Sequence, residues 1–122
     1  MKRFTRPVAT ALEASKIIGV RAGVEHRFRG VWVVVVDGRV FVRSWNDKPN
    51  GWYRAFLAEP LGTLQVGDRE VRIRAKKSRG ERLMDAIDAA YKDKYPTPGS
   101  RKWVVGFATA RRRATTLELV PR

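Results

Sequence analysis

Residues 31–44 read VWVVVVDGRVFVRS. Six consecutive apolar residues meet Asp37-Gly38, and a second alternating run follows. An Asp-Gly pair between two such runs is the strongest short-range signal for a β-hairpin with a two-residue turn. That turn fixes the register. It sets Val36 opposite Arg39, Val35 opposite Val40, Val34 opposite Phe41 and Val33 opposite Val42, and continues to Trp32 with Arg43 and Val31 with Ser44. Side chains alternate between the faces of a strand, so the register sorts them into two sets. One face is almost all valine and belongs to a core. The other carries Trp32, Arg39, Phe41 and Arg43 and is amphipathic, as expected of a barrel wall with something docked outside it.

Working outward, Lys16 to Arg21 (KIIGVR) reads as a first strand, preceded by a short helix over Val8 to Ser15 and followed by a turn or bulge at Ala22-Gly23. A second hairpin joins Leu61–Val66 to Arg69–Ala75 through Gly67-Asp68. In it Leu64, Val71 and Ile73 point inward, and Gln65, Glu70, Arg72 and Arg74 point out. Between the hairpins, Asn50 or Gly51 opens a short helix over Trp52 to Ala58, which Pro60 stops. Ser78-x-x-Glu81 has the form of a capping box. The helix it starts places Leu83, Ile87, Ala90 and Tyr91 on one face, and Lys92 and Lys94 suit its negative C-terminal end. Residues 101–113 are ambiguous, and Thr115 to Val120 reads as a last strand. About six short strands with few helices predict a mainly β fold, a small antiparallel barrel with helices at its ends, occupying residues 1–122 as one domain.

Composition excludes several chemistries. There is no cysteine, hence no disulfide, thiol nucleophile or thiolate metal site. The one histidine, His26, lies in a charged stretch, which leaves no common metal site and no serine–histidine triad. The N-terminus has no apolar run of signal-peptide length, and Val31–Val36 is too short to span a bilayer, so the expectation is a soluble, cytoplasmic protein. The net charge of +14 is uneven. Residues 81–95 hold four acids and three bases, leaving 23 bases and 8 acids elsewhere. Such a field attracts polyanions and phosphorylated small molecules alike.

The stretch FVRSWNDKPNGWYRAF, residues 41–56, holds five of the twelve aromatic residues together with Arg43, Lys48 and Arg54. It is either a loop folded back on a core or a site for a flat anionic ligand. As a site, Arg43, Lys48 and Arg54 anchor phosphate, helped by free backbone N–H groups at a helix start, while Trp45 and Trp52 offer faces to a ring system. Arg72, Arg74 and Lys76 form an outward stripe able to track a phosphate backbone or simply to keep an edge strand soluble. Arg111–Arg113 is a short exposed run open to the same two readings.

The segments GVWVVVVDGRVFVRS, NGWYRA and IDAAYKDKY, with the ending RATTLELVPR, resemble the bacterial domain-of-unknown-function family numbered 2255 from Ala14 to Arg122. The resemblance implies a six-stranded split β-barrel related to the FMN-binding split barrels, which include pyridoxamine phosphate oxidase-like flavoproteins and deazaflavin-dependent nitroreductases. Val40 to Pro60 is similar to the nitroreductase pattern, with Ser44, Trp52, Tyr53, Leu57 and Pro60 matching in order. By that resemblance Arg43, Ser44 and Lys48 hold the phosphate of an FMN or deazaflavin coenzyme in an oxidoreductase-type site, and the chain forms a homodimer. Trp45 and Trp52 then wall the ring, Arg54 adds a phosphate contact, and Tyr53 is a candidate hydrogen-bond donor. The loop SWNDKPN departs from the pattern in lacking tandem glycines. Two alternatives remain open at this point: a nucleic-acid-binding module using the same basic and aromatic surface, or a dimeric scaffold without cofactor.

Overall fold

Every apolar set that the strand periodicity defines must find cover, and closing the sheet on itself provides it for one face. The structure, a computed structural model, describes residues 3–122. Its strands are β1 (Ile17–Ala22), β2 (Arg29–Val36), β3 (Arg39–Val42), β4 (Leu61–Val66), β5 (Arg69–Lys77) and β6 (Leu117–Pro121). They form a closed antiparallel barrel in the order β1-β2-β3-β6-β5-β4. Two three-stranded meanders are thus joined along β3–β6 and β1–β4, the split-barrel arrangement expected from the sequence. The first hairpin has the anticipated register, from Val36 opposite Arg39 to Val33 opposite Val42. Asp37 and Gly38 have φ of 51° and 77°, the pair of positive values that a type I′ turn needs.

The barrel interior is filled by Val20, Val33, Val42, Leu64, Ile73 and their neighbours. Helix α1 (Arg6–Ala14) contributes Val8 and Leu12 to this cluster, and α2 (Trp52–Ala58) contributes Tyr53 and Phe56. Both helices are short and lack side-chain caps, so their stability comes from the apolar faces they bury.

The outer face of the first hairpin is covered by the protein itself. Val34 and Phe41 are fully buried beneath α3 (Glu81–Lys94), whose Met84, Ile87 and Tyr91 form a second core with them. What docks outside the wall is this helix and the short α4 (Arg101–Phe107), followed by α5 (Ala110–Arg113). The ambiguous 101–113 segment is therefore helical, and Phe107 joins the second core.

Two local expectations are corrected. β3 ends at Val42, so the pairs Trp32–Arg43 and Val31–Ser44 do not form. The chain leaves β2 there, and the Ser44 N–H donates to Thr115 Oγ1 instead. The capping box is also absent. The residue before α3 is Gly80, with φ 110°, and no side chain caps the helix. The Ser78 N–H donates to the Thr116 carbonyl at 3.2 Å, continuing the β5–β6 ladder, and Glu81 faces Arg113. Sheet pairing took the serine before the helix could use it. Among the described residues no helix is long and apolar enough to cross a membrane.

Candidate functional site

All four tryptophans of the chain line one cavity. Its volume is about 400 Å³, and Trp32, Trp45, Trp52 and Trp103 share its wall with Phe107 over a floor at Gly30 and Val31. A second cleft of about 550 Å³ adjoins it through Trp45 and Trp52, and carries Arg29, Ser44, Asn46, Lys48 and Asn50. Both volumes fall in the range of small-molecule sites.

Each ring is fixed from behind. Trp32 projects from β2 and stacks on Tyr95, with centroids 4.1 Å apart and planes 4° from parallel. The Tyr95 hydroxyl accepts the Val33 N–H at 3.1 Å and reaches the Lys16 and Val33 carbonyls. Burial pushes its pKa up to about 12, so it keeps its proton and the bonds persist. Trp45 lies just past β3 with the Arg112 guanidinium 3.6 Å over its ring, while Arg112 Nε donates to the Trp45 carbonyl at 3.0 Å. Trp103 and Phe107, four residues apart on α4, meet Trp45 edge-on at 4.7 and 5.4 Å.

Gly106 makes that packing possible. A Cβ there would lie 2.2 and 2.5 Å from the Trp45 ring. Gly106→Ala is therefore expected to push Trp45 into the cavity at a cost of about 1–3 kcal/mol. A lower melting temperature together with an altered near-UV circular dichroism signal checks this; a change in neither means that the ring has room to spare.

The residues singled out from the sequence part company here. Trp45, Trp52, Ser44 and Lys48 do come together around the two cavities. Arg43 also borders the tryptophan cavity, but its guanidinium is committed to the protein. Its side chain has no exposed surface, and its Nη1 binds Asp88 Oδ1 and the Phe107 carbonyl. Its Nε donates to Thr116 Oγ1 at 2.9 Å, and Nη2 reaches the Met84 carbonyl. Arg54 lies outside both cavities and holds Asp47 in a two-point pair, Nε–Oδ1 2.6 Å and Nη2–Oδ2 2.7 Å. That hydrogen bond keeps the Asp47 carboxyl below the usual carboxylate range. Tyr53 is a core residue whose hydroxyl donates to the Ala114 carbonyl at 3.4 Å. The Ser44 hydroxyl donates to the Asn46 carbonyl at 2.6 Å and shapes the loop. The 111–113 run is also largely committed: Arg112 to Trp45, and Arg113 to Glu81, Asp85 and Asp88. Arg29, Trp103 and Phe107 were missed. The four-residue spacing of Trp103 and Phe107 was the available signal for one helical face.

The sequence profile of a bacterial family described as "Uncharacterized protein conserved in bacteria (DUF2255)" matches residues 12–119. The chain belongs to DUF2255. No curated protein matches it. Among solved structures, this DUF2255 protein is similar to a conserved hypothetical protein of Mycobacterium tuberculosis, with TM-score 0.63 and 12% identity over 100% of this chain and 86% of that one. A Listeria innocua protein provisionally assigned as a pyridoxamine 5'-phosphate oxidase gives 0.61 at 14% identity, covering 95% and 91%. An F420-H2 dependent reductase gives 0.57 at 17% identity, covering 85% and 90%. A further neighbour, at TM-score 0.57 and 18% identity over 85% and 78%, is a domain-swapped dimer. At these identities the likeness establishes the fold, that of the FMN-binding split-barrel relatives.

Proposed function

We propose that this DUF2255 protein binds a planar, phosphate-bearing redox cofactor of the flavin or deazaflavin class, FMN or a deazaflavin coenzyme, in the tryptophan-lined cavity. The observation that carries the reading is the convergence of all four indoles on one cavity beside a cleft with two cations outside any ion pair among the described residues, Arg29 and Lys48. Flat aromatic faces suit a ring system, and cations at one end suit its phosphate. The donor set fits such a group with the roles redistributed. Trp45 and Trp52 wall the ring, as expected from the sequence. Phosphate contact passes from Arg43 and Arg54 to Arg29 and Lys48, because the former two already satisfy protein carboxylates. With no tandem glycines in the 44–51 loop, side chains take the place of a backbone cradle. When bound, the cofactor supplies hydride transfer; the protein's part is to bind and orient it and to exclude water. Names among the neighbours, an oxidase and an F420-H2 dependent reductase, support an oxidoreductase-type role. The domain-swapped neighbour supports homodimerisation, which light scattering tests as twice the mass of 13.9 kDa.

Titration with FMN, and separately with coenzyme F420, is the direct test. Every tryptophan borders the cavity, so saturation is expected to quench most of the intrinsic emission. The double variant Arg29→Gln, Lys48→Gln is expected to weaken FMN binding about 10- to 100-fold, as loss of two charge-assisted contacts implies, and to leave riboflavin, which lacks the phosphate, unchanged. Absence of saturable quenching by either coenzyme sinks the proposal.

A further inference from the structure

The outward stripe on β5 acquires a different meaning once the barrel is closed. An edge strand needs charge to stay soluble, but β5 is paired on both sides, with β4 through Leu61–Arg74 and with β6 through Arg74–Val120. The protection of an edge therefore does not explain Arg72, Arg74 and Lys76. All three are exposed, and the helices that clothe the barrel lie mainly against β1, β2 and β4. Arg122 joins them, since its N–H donates to the Arg72 carbonyl at 3.1 Å.

The four cations of this wall make no ion pair among the described residues, and the one carboxylate in their row, Glu70, lies at its end beyond Arg72. The ion pairs among the described residues use Arg39, Arg43, Arg54 and Arg113, and none uses Arg72, Arg74, Lys76 or Arg122. Glu118 sits opposite Lys76 across the ladder, yet its carboxylate is held by Arg39 at 2.8 Å. Alternate residues of a strand recur at about 6.8 Å, so Arg72 to Lys76 make a cationic line about 14 Å long.

From this we infer that the β5–β6 wall binds the phosphate backbone of duplex nucleic acid, without reading its sequence and apart from the tryptophan cavity. A linear polyanion matches a linear row of cations. The wall has no exposed aromatic ring on which to stack single-stranded bases, and none of the large exposed apolar residues, Ile17, Val24, Leu57, Trp103 and Val105, lies on it to enter a bilayer. A second copy docked two-fold through this face would set the row against its own image.

The test is fluorescence anisotropy of a labelled DNA duplex with the full chain at several salt concentrations. Four phosphate contacts predict that log K falls with log salt at a slope of about 3 to 4. The triple variant Arg72→Gln, Arg74→Gln, Lys76→Gln is expected to flatten the slope by about 2 to 3. A charge-matched variant on α3 and α4, Arg82→Gln, Lys92→Gln, Arg101→Gln, is expected to retain it. If the triple variant fails to fold, the three single substitutions replace it, each flattening the slope by about 1. Equal losses in the two sets would mean that bulk charge, not this wall, binds, and would overturn the inference. So would an unchanged slope in the β5 variants, or binding of phosphatidylserine vesicles or polyglutamate as tight as that of duplex. FMN quenching is unaffected by the β5 substitutions, which separates this site from the cofactor proposal.

Discussion

Replacing Arg43 with methionine is expected to remove about 3–5 kcal/mol of stability, the cost of breaking a buried ion pair by deleting one partner. That is a large share of the roughly 5–15 kcal/mol that holds a domain together. The guanidinium ties three separate pieces of chain: Asp88 and Met84 on α3, the Phe107 carbonyl at the end of α4, and Thr116 at the entry to β6. A methionine fills similar space but leaves the Phe107 carbonyl without its donor, and Asp88, which is 25% exposed, with Arg113 Nε at 3.2 Å as its remaining partner. Lysine keeps the charge but lacks the planar fork, so Arg43→Lys recovers only part of the loss. Urea unfolding of Arg43→Met, Asp88→Asn and the double variant measures the coupling. Independent, additive effects would show that the pair contributes little. Because Arg43 fixes the end of α4, its loss also loosens Trp103 and Phe107, so reduced cofactor binding by an Arg43 variant is no proof of phosphate contact.

Arg43 also marks the limit of what local pattern discloses. The hairpin at 31–44 was legible because an Asp-Gly turn leaves only one register and valine alternation says which face is core. The same register placed Arg43 beside Trp32 on the outer face, and that face is amphipathic by composition. Whether such a face meets solvent, ligand or protein depends on a partner. The partner carboxylate, Asp88, is 45 residues away, on a helix whose apolar stripe was identified apart from Met84. Arg54 finds its partner at shorter range, in Asp47 across the turn that opens α2. In 101–113 the β-prone run Trp103-Val104-Val105 is helical because Phe107 and Trp103 must reach Trp45 and the second core together, a tertiary demand that overrides propensity. Trp45 and Trp52 were recognisable because they flank the loop that forms the cleft; Trp103 arrives from the far end of the chain.

The other large effect is expected at Gly62. Its neighbours in β4, Leu64 and Val66, point into the barrel, and Gly62 shares their parity at the end closed by α2. A Cβ there would lie 2.2 Å from the Arg21 carbonyl oxygen, 2.8 Å from the Phe56 ring and 3.1 Å from the Ala22 Cα. Two of these atoms are backbone of β1, to which β4 is paired at Ala22–Gly62, so the clash is not relieved by a rotamer change. Either the β1–β4 seam opens or α2 lifts off the barrel mouth. Overpacking of this kind costs about 3 kcal/mol, the upper end of the usual range. For a chain of this size that corresponds to a fall in melting temperature of about 10–15 °C. Gly99→Ala, where a Cβ meets nothing within 4 Å, is the matched control and is expected to melt with the parent protein. Shortening the ring in the double variant Gly62→Ala, Phe56→Leu relieves only the contact with α2, so it is expected to restore less than half of the loss. Full restoration would place the conflict at Phe56 alone and leave the seam tolerant. The position bears on the site as well, because α2 begins with Trp52, so lifting the helix withdraws one wall of the tryptophan cavity. Gly62→Ala should therefore weaken cofactor binding at temperatures where the barrel is still folded, which stability loss by itself does not produce.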